Sequence, residues 1–463
     1  MTVKTPASEP QNGYIFSAPP RAALSGRIAA PGDKSISHRA LIFGALAEGT
    51  AEVTGLLEGA DILHTADVMR ALGAQIKRHD DGTWTVKGCG KAGLKTPGSS
   101  LDFGNAGTGA RLIMGAVAGH DITADFVGDI SLSSRPMGRV LIPLREMGAE
   151  YSDGDDRLPL SQTKGGNLKA ISFTPPHASA QVKSAILLAG LGAEGVTEVI
   201  ETRPTRDHTE NMLTAFGVPV QRKSVSGGDS ISVTGPARLS AANVNVPGDP
   251  SSAAFLIAAA LIVPGSDIVI ENVMMNPART GLFEVLVEMG AYLRTDNFRR
   301  SGGETIADLH VKYTKLDGVI VQESRVPSMV DEFPVLAVIA AFARGATEMR
   351  GLGELRVKES DRLQGTYDLL AANGVKCEIK GDSLIVHGAG SKGGAPARMA
   401  GIVPGGGLVK THHDHRLAMS ALVLGLGAQS PVRIDDAAMI ATSFPNFFDL
   451  MNTLGADINA PNE

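Results

Sequence analysis

Polar and charged residues interrupt the apolar stretches of this chain in groups. Lys34, Ser35 and Arg39 lie in PGDKSISHR, Asn105, Gly107 and Thr108 in GNAGTGAR, and Ser179, Ala180, Gln181 and Lys183 in SAQVK. Asp331 and Glu332 lie in VDEFP, and His415 and Arg416 in HHDHR. Each group opens an Ala/Leu-rich run of the kind that forms a buried helix. A second set opens outer, amphipathic runs: Arg135 in SSRPMGR, Arg206 in TRDHTE, and Lys358, Glu359 and Arg362 in RVKESDR. Helix N-termini carry free N–H groups and the positive end of the peptide dipoles, so several of them converging form an anion site. Lysine and arginine added at those ends imply a small, multiply anionic substrate bearing phosphate and carboxylate. Asp331 and Glu359 stand among these cations and are the candidates for acid/base chemistry.

Taken singly, a basic residue at a helix end is more often a solvated one. Its recurrence at one position of a repeat reverses that judgement. Other chemistries have less support. His412, His413, Asp414 and His415 show no closed ligand spacing, so no metal is expected. GNAGTG matches neither GxxxxGK[ST] nor a strand-anchored GxGxxG, so a nucleotide fingerprint is weakly supported. Cys89 and Cys377 are far apart, form no CxxC, and read as packing thiols of a reducing compartment. With 43 Lys+Arg against 49 Asp+Glu, the net charge of −6 argues against nonspecific nucleic-acid or anionic-membrane binding. The longest apolar run, Ala253–Val263, is too short to span a membrane. The first 23 residues lack an apolar signal core and read as a flexible tail, so the expected location is cytoplasmic.

The elements that must position these residues repeat. PGDKSISHR and the later PGDPSS are each followed by an apolar run, in register through Gly49/Gly265 and Val53/Val269, and only the first copy is charged. At a finer grain, helix-like runs end in a hydrophobic residue or Asn, then Gly, then Ala or Val, at Gly73, Gly148, Gly217, Gly290, Gly374 and Gly455. Each glycine suits a helix C-cap at positive φ before a strand. Each unit therefore reads as two strand–helix steps plus an extra strand, six times over. At 463 residues two domains are expected: 31–244 as one, 24–30 with 245–463 as the other, hinged near 30 and 246. The cleft between them is the default ligand site.

From about Ser25 onward the chain resembles the 5-enolpyruvylshikimate-3-phosphate (EPSP) synthases. The resemblance is carried by PGDKSISHR, LDFGNAGTGAR, RPMGR, SAQVKSA, LRVKESDR, DHRLAMS and SFPNFF. GDKS, SAQVK and RDHTE are similar to the class II branch, whereas NPAR (276–279) has Ala278 where Thr is usual. The resemblance implies an α/β enolpyruvyl transferase fold of two domains, each of three βαβαββ repeats around buried helices, with the active site in the interdomain cleft. It implies enolpyruvyl transfer from phosphoenolpyruvate to the 5-hydroxyl of shikimate 3-phosphate, without metal or organic cofactor. By the same resemblance Lys34, Ser35, Arg39, Ser179, Ala180, Gln181, Arg206, Asp331 and Lys358 hold shikimate 3-phosphate. Lys34, Gly107, Arg135, Gln181, Arg362 and Arg416 hold phosphoenolpyruvate or the inhibitor glyphosate, and Asp331, Glu359 and Lys34 are catalytic. Arg206 stands where the other class carries a Tyr, and Thr442 where it carries an active-site Lys. A monomer is expected. The sister transferase for UDP-N-acetylglucosamine needs a Cys where Ile130 stands; a noncatalytic binding protein would lack Asp331 or Glu359.

Overall fold

The computed structural model of the chain describes residues 14–152, 154–301, 303–390 and 402–459. Six inner helices carry the core: α1 (Lys34–Leu46), α2 (Gly107–Ala118), α3 (Ala180–Gly190), α4 (Pro250–Ile262), α5 (Phe333–Phe342) and α6 (His415–Gly427). Residues all round α4 are buried, as expected of a helix with no polar face. The repeated Asp of PGD is the N-cap in both copies. Asp33 accepts from the Ile36 amide and Asp249 from the Ser251 amide, each at 2.8 Å. The duplication therefore has a structural cause in both copies, while Lys34 in place of Pro250 distinguishes the first.

Among the described residues six four-stranded sheets cover these helices, and each combines one parallel with two antiparallel pairings. The glycines of the six repeats, Gly73, Gly148, Gly217, Gly290, Gly374 and Gly455, all adopt positive φ, from +73° to +110°. That is the left-handed turn a β-carbon would resist.

The buried apolar residues form two cores. One comprises residues from Ile36 to Val246 together with Met274; the other joins Leu24, Ile28 and Ala30 to residues from Ala253 to Ile458. The first core defines the N-terminal half and the second the C-terminal half. The first strands are exchanged between them. Ser25–Ala29 leads into α1 yet pairs with Asp267–Met274, and Val244–Asn245 leads into α4 yet pairs with Thr50–Thr54. The two crossings meet at a Gly32–Gly248 bridge. A β-carbon on Gly32 would lie 2.1 Å from the Gly55 carbonyl oxygen, so only glycine permits this approach.

The expected N-terminal tail is corrected in part. Residues 1–13 lie outside the described residues, but Ile15–Ala18 is a strand between Val432–Ile434 and Asp457–Ile458. In this sheet Ile15–Ala18 takes the place between the second and third strands that the last strand of the repeat fills in the other five sheets. Ser17 is buried against α6 at Gly425, where a β-carbon would meet the Ser17 hydroxyl at 2.1 Å.

Candidate active site

The polar N-terminal ends of the inner helices face one cavity of about 710 Å³ between the two halves. Lys34 and Ser35 come from α1, Thr108 and Arg111 from α2, Ser179, Ala180 and Gln181 from α3, and His415 and Arg416 from α6. Asp331 sits in the short turn Val330–Glu332 ahead of α5. Arg135, Arg203, Arg206, Lys358 and Glu359 come from the segments leading into outer helices, and Arg139 from the first turn of the outer helix Gly138–Met147. Nine lysines and arginines line the cavity (34, 111, 135, 139, 203, 206, 279, 358 and 416) against five carboxylates (249, 323, 331, 354 and 359). The local excess of four positive charges stands against a chain of net charge −6. Such a lining attracts a small polyanion.

Asp331 is one of the points where the halves meet. Arg206 reaches it from the N-terminal half at 2.7 Å, and Arg362 from its own half at 3.1 Å. Burial alone would raise its carboxyl, but Arg416, Arg206, Lys358 and Arg362 together hold it well below the usual range. Glu359 follows the same logic. Burial raises it, Arg362 at 2.6 Å and Arg135 lower it further, and the net result is an ionised carboxylate. Burial and the neighbouring Arg416 push His415 down to about 3, so it is neutral beside the site.

Eleven of the expected site residues line the cavity: Lys34, Ser35, Arg135, Ser179, Ala180, Gln181, Arg206, Asp331, Lys358, Glu359 and Arg416. Three do not. Arg39 is turned inward, with Nε on the Thr209 hydroxyl at 2.8 Å and Nη2 on the Ser184 hydroxyl at 2.9 Å. Its remaining bond, Nη1 to the Ser35 carbonyl at 3.0 Å, supports the first turn of α1 from below. Arg362 is buried behind Asp331 and Glu359, with its Nε on Asp414 at 2.8 Å, so three carboxylates occupy the guanidinium. Gly107 lies behind the lining, where a β-carbon would meet Nη1 of both Arg111 and Arg135 at 3.1 Å. Thr442 also stays off the cavity and donates to the Met439 carbonyl at 2.7 Å.

Three functional neighbours carried no assigned role from the sequence. Asp61 forms an ion pair with Lys34, drawing the ammonium to one wall. Arg111 donates to Gln181 Oε1 at 3.0 Å while Gln181 Nε2 donates to Thr108 at 2.9 Å, which fixes the amide's orientation. Arg111 is four residues beyond Gly107, one turn along the same helix face, and that spacing was a usable signal. Arg279 joins the two duplicated caps, bonding Asp33 at 2.7 Å and Asp249 at 2.9 Å.

Asp207, His208 and Glu304 bring potential metal-ligand atoms within 4.8 Å of one another. The Asn276 amide already donates to Asp207 at 2.8 Å and to Glu304 at 3.0 Å, and a cation there would have to displace it. His413 pairs with Asp436 at 3.1 Å and Asp414 caps α6, so the expected His-rich run does not converge on one point. Neither cysteine lines the cavity, and Ile130 is 93% exposed at the start of a short helix.

The family model described as EPSP synthase (3-phosphoshikimate 1-carboxyvinyltransferase) matches residues 19–451. A protein named 3-phosphoshikimate 1-carboxyvinyltransferase from Parvibaculum lavamentivorans is 56% identical over 443 residues, covering 95% of this chain and 96% of its own length. One of the same name from Gluconobacter oxydans is 56% identical over 444 residues, covering 96% and 98%. A solved structure of EPSP synthase from Acinetobacter baumannii aligns with a TM-score of 0.85 at 45% identity, covering 97% of this chain and all of that one. The likeness to the enolpyruvyl transferase NikO from Streptomyces tendae, 18% identical with a TM-score of 0.73 over 97% of this chain and 100% of that one, is one of fold alone.

Proposed function

Because the chain belongs to the EPSP synthase (3-phosphoshikimate 1-carboxyvinyltransferase) family, we propose that the cationic cavity is where its two anionic substrates meet. The enzyme transfers the enolpyruvyl group of phosphoenolpyruvate to the 5-hydroxyl of shikimate 3-phosphate and releases phosphate. The observation that carries the site assignment is the pair Asp331 and Glu359 set into a wall of excess positive charge.

Shikimate 3-phosphate is held by Lys34, Ser35, Ser179, Ala180, Gln181, Arg206 and Lys358, with Arg39 acting from beneath Ser35. Phosphoenolpyruvate takes Lys34, Arg135, Gln181 and Arg416, with Arg362 behind the two carboxylates. Asp331 orients the 5-hydroxyl and accepts its proton as the oxygen bonds to C2 of phosphoenolpyruvate. A carboxylate held so far below its ordinary range is a weak base. Proton transfer to it must therefore accompany C–O bond formation, when the hydroxyl becomes acidic. Glu359 supplies the proton to C3. Arg362 and Arg135 keep it ionised, and the phosphate and carboxylate groups of the substrates offset those cations. In the elimination the C2–O bond to phosphate breaks, C3 returns a proton to Glu359 and the C2–C3 double bond re-forms, while Lys34 and the arginines stabilise the dianionic groups of the tetrahedral intermediate and the departing phosphate.

The halves act as domains 31–244 and 24–30 with 245–463, hinged near 30 and 246, and closing over the ligands excludes water. Glyphosate competes at the phosphoenolpyruvate position, the protein is cytoplasmic, and a single copy completes its own site as a monomer. Phosphate release tests the reading, with phosphoenolpyruvate plus either shikimate 3-phosphate or UDP-N-acetylglucosamine. Release with the first acceptor only is expected; release with the nucleotide sugar only overturns the assignment.

A further inference from the structure

Five consecutive residues, Arg206–Glu210, each engage a different partner. The last two anchor the segment in its own half. The Thr209 hydroxyl accepts from Arg39 at 2.8 Å and shares a hydrogen bond with Ser184 at 2.7 Å. Glu210 pairs with the buried Lys183 at 2.5 Å, and Lys183 also holds Glu201 at 3.1 Å. The first three residues all cross to the C-terminal half. Arg206 meets Asp331 at 2.7 Å, Asp207 accepts from Asn276 at 2.8 Å, and His208 Nδ1 lies 2.9 Å from Glu304 Oε1.

Glu304 is the centre of this joint. Its Oε1 faces His208 and Asn211 (3.4 Å) of the N-terminal half, and its Oε2 accepts from Asn276 at 3.0 Å. His208 is 1% exposed, Glu304 4% and Asn276 6%. Burial lowers the imidazole below its ordinary range. Burial acts on Glu304 in the opposite sense, and the donors His208, Asn276 and Asn211 overcome it and keep the carboxyl low. A neutral imidazole therefore donates Nδ1–H to a carboxylate. A buried carboxylate whose donors come from both halves is satisfied at one relative placement of those halves, and leaving it short of a donor is costly. Arg206, two residues away on the same anchored segment, meets Asp331 at that placement.

We propose that His208, docked on Glu304 beside the Asp207–Asn276 bond, is a positioning residue that sets the register of the two halves at which Arg206 reaches Asp331. This rests on the functional reading above, since Asp331 and Arg206 belong to the shikimate 3-phosphate site. His208 touches no substrate and lies off the cavity lining.

A double-mutant cycle on the full chain tests it, with kcat/KM for shikimate 3-phosphate as the readout. His208→Ala is expected to lower kcat/KM on the order of 10–100-fold, the scale of a misplaced contact. His208→Asn, whose amide nitrogen can stand where Nδ1 does, restores most of the loss. In the Arg206→Ala background, His208→Ala costs little more, because the residue acts through Arg206. An undiminished loss in that background, wild-type activity of His208→Ala, or failure of Asn to restore activity overturns the proposal. Should His208→Ala not fold, Glu304→Gln takes its place in the cycle with the same expectations. Small-angle scattering of the ligand-free chain separates the two readings. If the wild type releases no phosphate, the functional reading fails by itself. The joint then stands if His208→Ala has a larger radius of gyration while His208→Asn keeps that of the wild type, and falls if all three agree.

Discussion

Glu359→Gln keeps the volume and reach of the side chain and removes its capacity to carry a proton. In the structure the carboxylate lies 2.6 Å from Arg362, which keeps Asp331 at 3.1 Å and Asp414 at 2.8 Å after the change. The buried guanidinium therefore remains between two carboxylates, and the fold should survive. The cavity loses one of five lining carboxylates, so its positive excess rises and anion binding is not weakened on electrostatic grounds. The loss falls on turnover. Positioned proton transfer contributes roughly 10²–10⁴-fold, or about 3–5 kcal/mol of barrier at 1.36 kcal/mol per tenfold. Steady-state phosphate release should show kcat lower by that factor, with KM for both substrates at or below the wild-type value. Turnover within about tenfold of wild type would remove Glu359 from the proton path. A KM rising in step with the loss of kcat would instead mark it as a binding residue.

Other perturbations separate the remaining roles. Asp331→Asn deprives Arg206 and Arg362 of a charged partner and should lower both shikimate 3-phosphate affinity and kcat, the latter by about 10²-fold or more; intact turnover would contradict its role. Gly107→Ala places a methyl 3.1 Å from Arg111 and Arg135, so the Arg135 guanidinium must yield slightly. The wild type should be inhibited by glyphosate and the variant should need a higher dose, with a modest rise in KM for phosphoenolpyruvate; superimposable dose curves would count against this steric account. Asp33 is lowered from 3.8 to about 2: burial opposes the shift, and Arg279 chiefly drives it. A depressed carboxyl stabilises the fold above its unfolded pKa and loses that contribution as pH falls through the folded one. About 2 kcal/mol should thus disappear between pH 4 and pH 2. Acid-denaturation curves of wild type and Asp33→Asn should differ in slope in that window, and parallel curves would refute the assignment.

The repeats were legible because glycine at positive φ and Asp at an N-cap are local requirements. Gly73 to Gly455 and the two PGD segments each announce a helix end without reference to the rest of the chain. The lining residues were legible for a related reason: Lys34, Gln181 and Arg416 open helices that are otherwise apolar, so a polar residue there needs a purpose. Residue type alone does not say which way a long side chain turns. Arg39 and Arg362 look the same in sequence as Arg135 and Arg416, yet their guanidiniums are committed to interior hydroxyls and carboxylates. Asp61 reads as an ordinary acidic first-turn residue of an outer helix until Lys34 is placed beside it. Ile15–Ala18 escaped because its partners lie more than 400 residues away, and a four-residue strand carries no periodic signal of its own.

On the proposed reading Glu359 delivers the C3 proton inside the cationic cavity. Running the reaction in deuterium oxide tests it most directly. A proton from solvent carried by Glu359 makes a methyl group at C3 of the intermediate, and elimination can then leave deuterium in the methylene. Mass spectrometry of product and recovered phosphoenolpyruvate, taken after equal times, should find deuterium at that carbon with the wild type and roughly 10²–10⁴-fold slower accumulation with Glu359→Gln. Deuterium accumulating at the wild-type rate in Glu359→Gln would mean that another group protonates C3, and Glu359 would not be the proton donor.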